Sequence, residues 1–391
     1  MVSDRRLFTL VSILIGIGII LSYSLSSYIT LLFGVNEFHF AMRQAVFGLL
    51  GILIMWILSQ LDPDKYLTPL GFLLFLGPAF LMMGMPFFPE SYVSEVGGAK
   101  RWIKVAGFSL APVEFFKVGF IYFLAWSFSR KLGNHDGMGL FNEIKRFVPY
   151  GLIFAVAVFL IAFVQKDLGQ VVVLGSTLLV LLLFSGSSFR FFLSILSVIF
   201  VAFVLLIIFF SHRMSRILSW WSSVQDTVLS IMPAFLADKL RIPVDVLPYQ
   251  IGHSLNAIHN GGLFGVGMAN GTFKLGFLSE VHTDFVLAGL AEEFGFFGVL
   301  FVVIIYLLMV QRIFKIANRS RDKSIYLFSL GIGLLLSFTF MLNAYGISGI
   351  TPIKGISVPF LSYGGSAILA ASIGVGLVLM ASKKAKMENE L

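Results

Sequence analysis

Apolar runs of about 20 residues recur along the whole chain, and they leave few folds open. A helix needs about 20 residues to cross a hydrocarbon core of about 30 Å. Ten stretches read as such spans: 7–33, 41–60, 66–86, 112–129, 147–164, 170–186, 189–211, 284–311, 325–346 and 361–382. Only 12% of the 391 residues are charged and 58% are hydrophobic, against roughly 25% charged in a soluble domain. A membrane β-barrel would show alternating segments of about 10 residues, and that pattern is absent from the sequence. The fold class expected is an all-α polytopic membrane protein, one domain over 1–391. Its seventh and eighth spans are separated by a large loop, 212–283. The stretch SGSSFR (Ser185 to Arg190) is the one break between two of the spans; without it there would be nine. The N-terminal run is too long for the apolar region of a signal peptide and reads as an uncleaved first helix.

Lysine and arginine set the orientation. With ten spans, both termini share a side with Lys65, Arg130, Lys131, Lys145, Arg146, Arg190, the basic run from Arg312 to Lys323, and Lys383, Lys384 and Lys386. The short segments opposite hold only Arg43, Lys100, Arg101, Lys104, Lys166 and Lys354. Both termini are therefore expected in the cytoplasm and 212–283 outside it. Within that loop, RMSRILSWWSSV spaces apolar residues helically and sets Trp220 and Trp221 where an interfacial helix would anchor. NGGLFGVGMANG (Asn260 to Gly271) reads as turn-rich or re-entrant; no strand precedes it and its third glycine is missing, so a nucleotide loop is rejected. The net charge of +8 suits anionic lipid, and no nucleic acid partner is expected. With no cysteine, disulfides and thiolate metal sites are excluded.

Ionisable groups at membrane depth cost roughly 2.5–3.5 kcal/mol each, so those present need a reason. Glu114 and Lys117 in APVEFFK sit three residues apart and can pair, either as a packing pair or as a polar wall. Asp167 in QKDLGQ either caps the next helix or faces a site. In LSEVHTDFVLAGLAEEFG, Asp284 falls at the expected start of the eighth span, with Glu280 and His282 just before it. Glu292 and Glu293 lie about 12–13 Å deeper on other faces of the helix, so each needs a partner from elsewhere. His282, Glu280 and Asp284 match no standard zinc spacing.

Outside the bilayer, GGAKRWIKV gathers Lys100, Arg101 and Lys104 around Trp102. That cluster suits an anion such as a diphosphate, or lipid headgroups. In IKGISVPFLSYGGSA, Pro359, Gly364 and Gly365 interrupt a helical pattern around Ser362 and Tyr363. Broken helices at membrane depth are tolerated where backbone lines a cavity. The residues alone thus imply an outward-facing polar cavity in a helical bundle. They do not separate a transporter from an enzyme.

The blocks GGAKRWI, APVEFFK, QKDLGQ, NGGLFGVGMANG, HTDFVLAGLAEEFGFFG and VPFLSYGGSA together resemble the SEDS family (shape, elongation, division and sporulation proteins), from the first span to the last. The resemblance implies a ten-span protein of the bacterial inner membrane, a glycosyltransferase that polymerises lipid II beside a class B penicillin-binding protein. The Pro352–Gly355 run looks more like the division branch, with divisome proteins as partners, than the elongation branch. Ser279 and Lys166 stand where the family usually has proline, and APVE replaces its usual QPSE.

The implied reaction joins the GlcNAc 4-hydroxyl of one lipid-linked disaccharide to the MurNAc anomeric carbon of another, releasing undecaprenyl diphosphate. Asp284 is the expected catalytic residue, as a base or as ligand to a divalent cation (Mg or Mn); no organic cofactor is expected. Lys100 and Arg101 are assigned to the diphosphate. Trp102, Lys104, Glu114, Lys117, Asp167, His282, Ser362 and Tyr363 complete the expected substrate site. A lipid II flippase is the rival reading, and a non-catalytic scaffold for the penicillin-binding protein is a third.

Overall fold

A computed structural model describes residues 3–96, 99–105, 107–131, 139–209, 211–242 and 249–385. Gly97 and Gly98 of the GGAKRWIKV block, 243–248 of the long loop, and Lys386 lie outside the described residues. The first expected span is a helix, α1 (Arg5–Leu25), extended after Ser26 by the short α2 (Ser27–Phe33). Then come α3 (His39–Gln60), α4 (Pro63–Gly84), α5 (Pro112–Lys131), α6 (Leu140–Phe159), α7 (Leu168–Phe184) and α8 (Phe189–Ile208). The long loop contributes α9 (Ser211–Leu229), α10 (Ala234–Leu240) and α11 (Tyr249–Gly261). The chain closes with α12 (Val286–Arg319), α13 (Lys323–Ile347) and α14 (Gly365–Ser382).

Among the described residues, eight helices are long and apolar enough to cross a membrane. α7 is apolar but shorter, at 17 residues, and α5 carries Glu114 and Lys117 in its first half; with these two the count is ten. The SGSSFR break holds because Gly186 takes a left-handed turn (φ 88°) and Ser188 caps α8 by accepting from the Phe191 amide. α13 packs against α12, α5 and α7, while α14 packs against α3 and α5. Phe120, Phe328, Tyr306, Leu7 and Leu14 are buried in the shared core. α8 lies at the opposite extreme, with Phe191 its one buried residue.

Two local departures from regular helix shape one end of the bundle. α6 runs into a π-helical turn, Leu160–Val164, where the Gln165 amide reaches back to Leu160 and the Asp167 amide to Ile161. Such wide turns often mark functional sites, and this one delivers Gln165, Lys166 and Asp167. Lys166 is left-handed there (φ 53°), a backbone proline cannot adopt; lysine in place of the family's usual proline therefore has a structural counterpart. The second departure is a three-stranded antiparallel sheet, β1 (Val93–Val96), β2 (Ala99–Val105) and β3 (Phe108–Leu110). This small sheet was not expected from hydropathy, and β2 carries the basic cluster.

The long loop is folded onto the bundle. Trp220 Nε1 donates to the Gly349 carbonyl (2.7 Å) and Trp221 Nε1 to that of Leu240 (2.8 Å), so both indoles are tied to the protein itself. Past α11, residues 262–267 press into α12 at Gly295, whose φ of 66° interrupts that helix. The Phe296 and Phe297 amides donate to the Gly262 and Leu263 carbonyls, and the Val266 and Gly267 amides to those of Glu292 and Glu293. Only glycine suits Gly265: φ is 80°, and a Cβ would lie 2.2 Å from the Glu293 carbonyl oxygen.

Glu292 and Glu293 are almost wholly buried and do find separate partners. Glu292 accepts from the Asn260 side chain (3.0 Å) and from the Thr272 (2.6 Å) and Phe273 (3.1 Å) amides. Glu293 accepts from Ser24 of α1 and pairs with Lys274 at 2.6 Å. Both carboxylates therefore anchor the loop that leads to Asp284.

Candidate active site

A cavity of about 700 Å³ opens between α3, α5, α7 and α14, the sheet and the turn before α12. Asp284, Glu280, Asp167, Glu114, Arg101 and Arg43 line it, with Trp102 and Tyr363 among the aromatic walls. α12 begins at Val286, two residues later than the expected span, so Asp284 belongs to a tight turn instead of a helical first turn. Its amide donates to the Glu280 carbonyl (3.0 Å), as do those of Thr283 and Phe285. Glu280 is left-handed (φ 55°) and accepts from the Thr283 hydroxyl (3.1 Å). Burial pushes the Asp284 carboxyl up to about 7, helped by the negative charges of Glu280 and Asp167 and opposed by Arg101.

Asp167 caps α7, accepting from the Gln170 amide at 3.3 Å, and also lines the cavity; the two roles left open by its sequence coexist. Burial raises its carboxyl above the usual range, with Arg101 opposing. The Arg101 guanidinium is held in place: Nε donates to the Gln165 carbonyl (2.7 Å) and an Nη to that of Lys166 (3.0 Å). Glu114 and Lys117 form an ion pair at 2.8 Å. Gln170 bridges them, donating to Glu114 (3.0 Å) and accepting from Lys117 (2.6 Å).

Several expected site residues are placed elsewhere. Lys100 is not among the residues that line the cavity and donates instead to the Phe88 carbonyl (3.2 Å). Lys104 is exposed and reaches the Glu90 carbonyl (3.4 Å). Lys117 lines a separate pocket of about 30 Å³ deeper in the bundle. His282 is buried between Phe40 and Tyr363 (ring centroids 5.2 and 5.5 Å apart), and burial lowers its affinity for a proton despite Glu280. Ser362 is buried and donates to the Thr283 carbonyl (2.5 Å). It buttresses the turn instead of facing the cavity.

Arg43 is the cavity residue that sequence reasoning passed over. It projects from α3, donates to the Gly107 carbonyl (2.5 Å) and lies over the Phe108 ring at 5.3 Å. A second cation thus lines the cavity with Arg101. Its signal was present, since it is one of few basic residues on the expected outer side.

A family model described as cell cycle protein, covering FtsW, RodA and SpoVE, matches residues 5–387. The chain belongs to that family. A probable peptidoglycan glycosyltransferase FtsW of Helicobacter pylori is 48% identical over 99% of this chain and 100% of its own length. The Geobacter FtsW of the same description is 31% identical over 97% of each chain. Among solved structures, Thermus thermophilus RodA shares the fold (TM-score 0.65, 22% identity, 99% of this chain and 98% of that one). A chain of a peptidoglycan synthase complex does so too (TM-score 0.69, 22% identity, 97% of this chain and 98% of that one). The expected ten-span SEDS fold and the FtsW-type branch both hold.

For the cation that this family resemblance implies, the donors at hand are oxygens. Among the described residues no group of three His, Cys, Asp or Glu side chains could hold a metal ion. Asp284 and Glu280 fit a magnesium-like ion, which takes one or two carboxylates and completes its shell with water and substrate phosphate. They do not fit a closed zinc site.

Proposed function

We propose that the chain polymerises lipid II into glycan strands during septal wall synthesis, at the outer face of the bacterial inner membrane, with both termini in the cytoplasm. As an FtsW-type member of its family it is a peptidoglycan glycosyltransferase. The observation that carries the substrate reading is one cavity lined by a carboxyl that titrates near neutrality, Asp284, and by two anchored guanidinium groups, Arg101 and Arg43. Ionised Asp284 takes the proton of the GlcNAc 4-hydroxyl as that oxygen attacks the MurNAc anomeric carbon. Arg101 and Arg43 neutralise the departing undecaprenyl diphosphate. The other role open to Asp284 is as a ligand: with Glu280 it would hold a Mg or Mn ion, which would supply charge neutralisation at that diphosphate in place of proton abstraction by Asp284. Trp102 and Tyr363 provide apolar walls for the sugar rings.

A class B penicillin-binding protein is the proposed partner, with divisome proteins around the pair. Lipid II translocation is the rival activity and needs a polar path on through the bundle. The pocket lined by Glu114 and Lys117 on its way into the bundle has only about 30 Å³, which favours polymerisation. Purified Asp284→Asn with its partner, given lipid II, decides the matter. Abolished glycan growth supports the reading; chain growth at the wild-type rate would remove Asp284 from the chemistry.

A further inference from the structure

The Asp284 turn is tied to the rest of the bundle at its backbone. α12 starts its own hydrogen bonds at the Phe285 carbonyl, which takes the Ala288 and Gly289 amides (both 3.0 Å). The Asp284 carbonyl is left outside that ladder. It accepts instead from Asn343 Nδ2 of α13 at 2.6 Å, and the same nitrogen donates to the Ile356 carbonyl, also at 2.6 Å. Asn343 is 5% exposed and does not line the cavity. Its Oδ1 is buried and has no hydrogen-bond partner among the described residues. An unpaired buried acceptor disfavours this arrangement, so the two donor bonds are what hold it.

We infer that Asn343 is a positioning residue for Asp284: its amide clips the catalytic turn to the segment around Gly355 and Ile356 and so fixes the carboxylate at the cavity wall. Gly355 lies against Asp284, close enough that a Cβ there would sit 3.0 Å from Oδ2. Two other ties join the same segments, Ser362 to Thr283 and the Tyr363 amide to the His282 carbonyl (2.8 Å), but both stop short of Asp284. Two carbonyls converging on one group require two donors on a neutral, short side chain, which asparagine supplies and a hydroxyl does not. Losing the clip lets the turn lift and admits water to the carboxylate. The groups facing that carboxylate are Glu280 on its own turn, Asp167 at α7, Arg101 on β2, Arg43 on α3 and Glu114 on α5.

The inference rests on the reading of Asp284 as the reacting carboxylate, and two measurements keep them apart. The first is hydrogen–deuterium exchange at the Asp284 turn, followed by mass spectrometry on the full chain. The second is lipid II polymerisation by the chain with its partner. Asn343→Leu is expected to speed exchange of the Thr283, Asp284 and Phe285 amides about 10-fold or more, with α12 unchanged, and to lower kcat about 100-fold, with KM within about twofold. Asn343→Gln, which keeps both donors, is expected to return exchange toward the wild-type rate. Should Asn343→Leu not fold, Asn343→Ser, which loses one donor, is expected to give the same change in smaller degree. Unchanged exchange in the folded variants overturns the inference whatever the rate of polymerisation does. Faster exchange at an unchanged rate of polymerisation supports the clip and withdraws Asp284 from the chemistry.

Discussion

Gly355 lies beneath Asp284, in a left-handed turn (φ 62°) whose missing Cβ would stand 3.0 Å from the carboxylate oxygen. Gly355→Ala therefore meets a backbone penalty, about 1 kcal/mol or more for a left-handed alanine, and pushes on the carboxylate. The expected result is a fall in kcat of about 100-fold with binding of lipid II little changed. Equal kcat in the variant and the wild type would refute this contact as a constraint.

The charge of Asp284 sets a pH limb. A base that titrates near 7 is half ionised there, so polymerisation should rise with pH through about 7 and level off above it. Glu280 and Asp167 raise that carboxyl and Arg101 lowers it. Glu280→Gln removes one raising charge and should carry the limb to lower pH; a rate profile measured from pH 5 to 9 reads the shift.

The same displacement has a stability sign. An aspartate raised on folding from its ordinary value of about 3.9 penalises the folded state as it ionises. The penalty grows as pH rises from about 4 to about 7 and is constant above. Asp284→Asn should melt at a higher temperature than the wild type at pH 8 and at a similar one at pH 4, while losing its activity.

Arginine geometry separates the two basic neighbours on β2. Arg101→Lys cannot reproduce a fork held on the Gln165 and Lys166 carbonyls, so it should slow polymerisation by about 10-fold or more. Lys100→Ala and Lys104→Ala remove side chains turned to other carbonyls and should stay within about twofold. A steady-state series on the three variants checks the order.

Lys274 and Glu293 meet at 2.6 Å with both side chains enclosed. Lys274→Met strands a buried carboxylate and should cost about 3–5 kcal/mol, seen as a lowered unfolding temperature in detergent. Lys274→Met with Glu293→Leu should recover much of that loss.

Hydropathy made the ten spans legible because lipid rewards a long uniform signal. Motif spacing brought Asp284, Arg101 and Asp167 forward for similar reasons, each being a charge where charge is costly. Contacts across irregular backbone were not legible. Nothing in the spacing ties Lys274 to Glu293, 19 residues on, or brings Asn343 to a turn 59 residues away. The strand over Ala99–Val105 is short and sits in a basic cluster, so nothing in it distinguished Arg101, held on the Gln165 and Lys166 carbonyls, from Lys100, turned to Phe88. Arg43 passed as an ordinary interfacial residue because nothing near it in the chain is unusual.

The interruption of α12 at Gly295 bears on how the protein is made. Amides and carbonyls freed there would each cost several kcal/mol in hydrocarbon, and residues 262–267 satisfy them. Those residues leave the ribosome before α12 does. The bilayer would therefore receive the eighth span together with its own plug, as one inserting unit rather than a helix to be completed later. Deleting 262–267 would leave the interruption at Gly295 facing lipid without its partners, and such a chain should be cleared by membrane proteases.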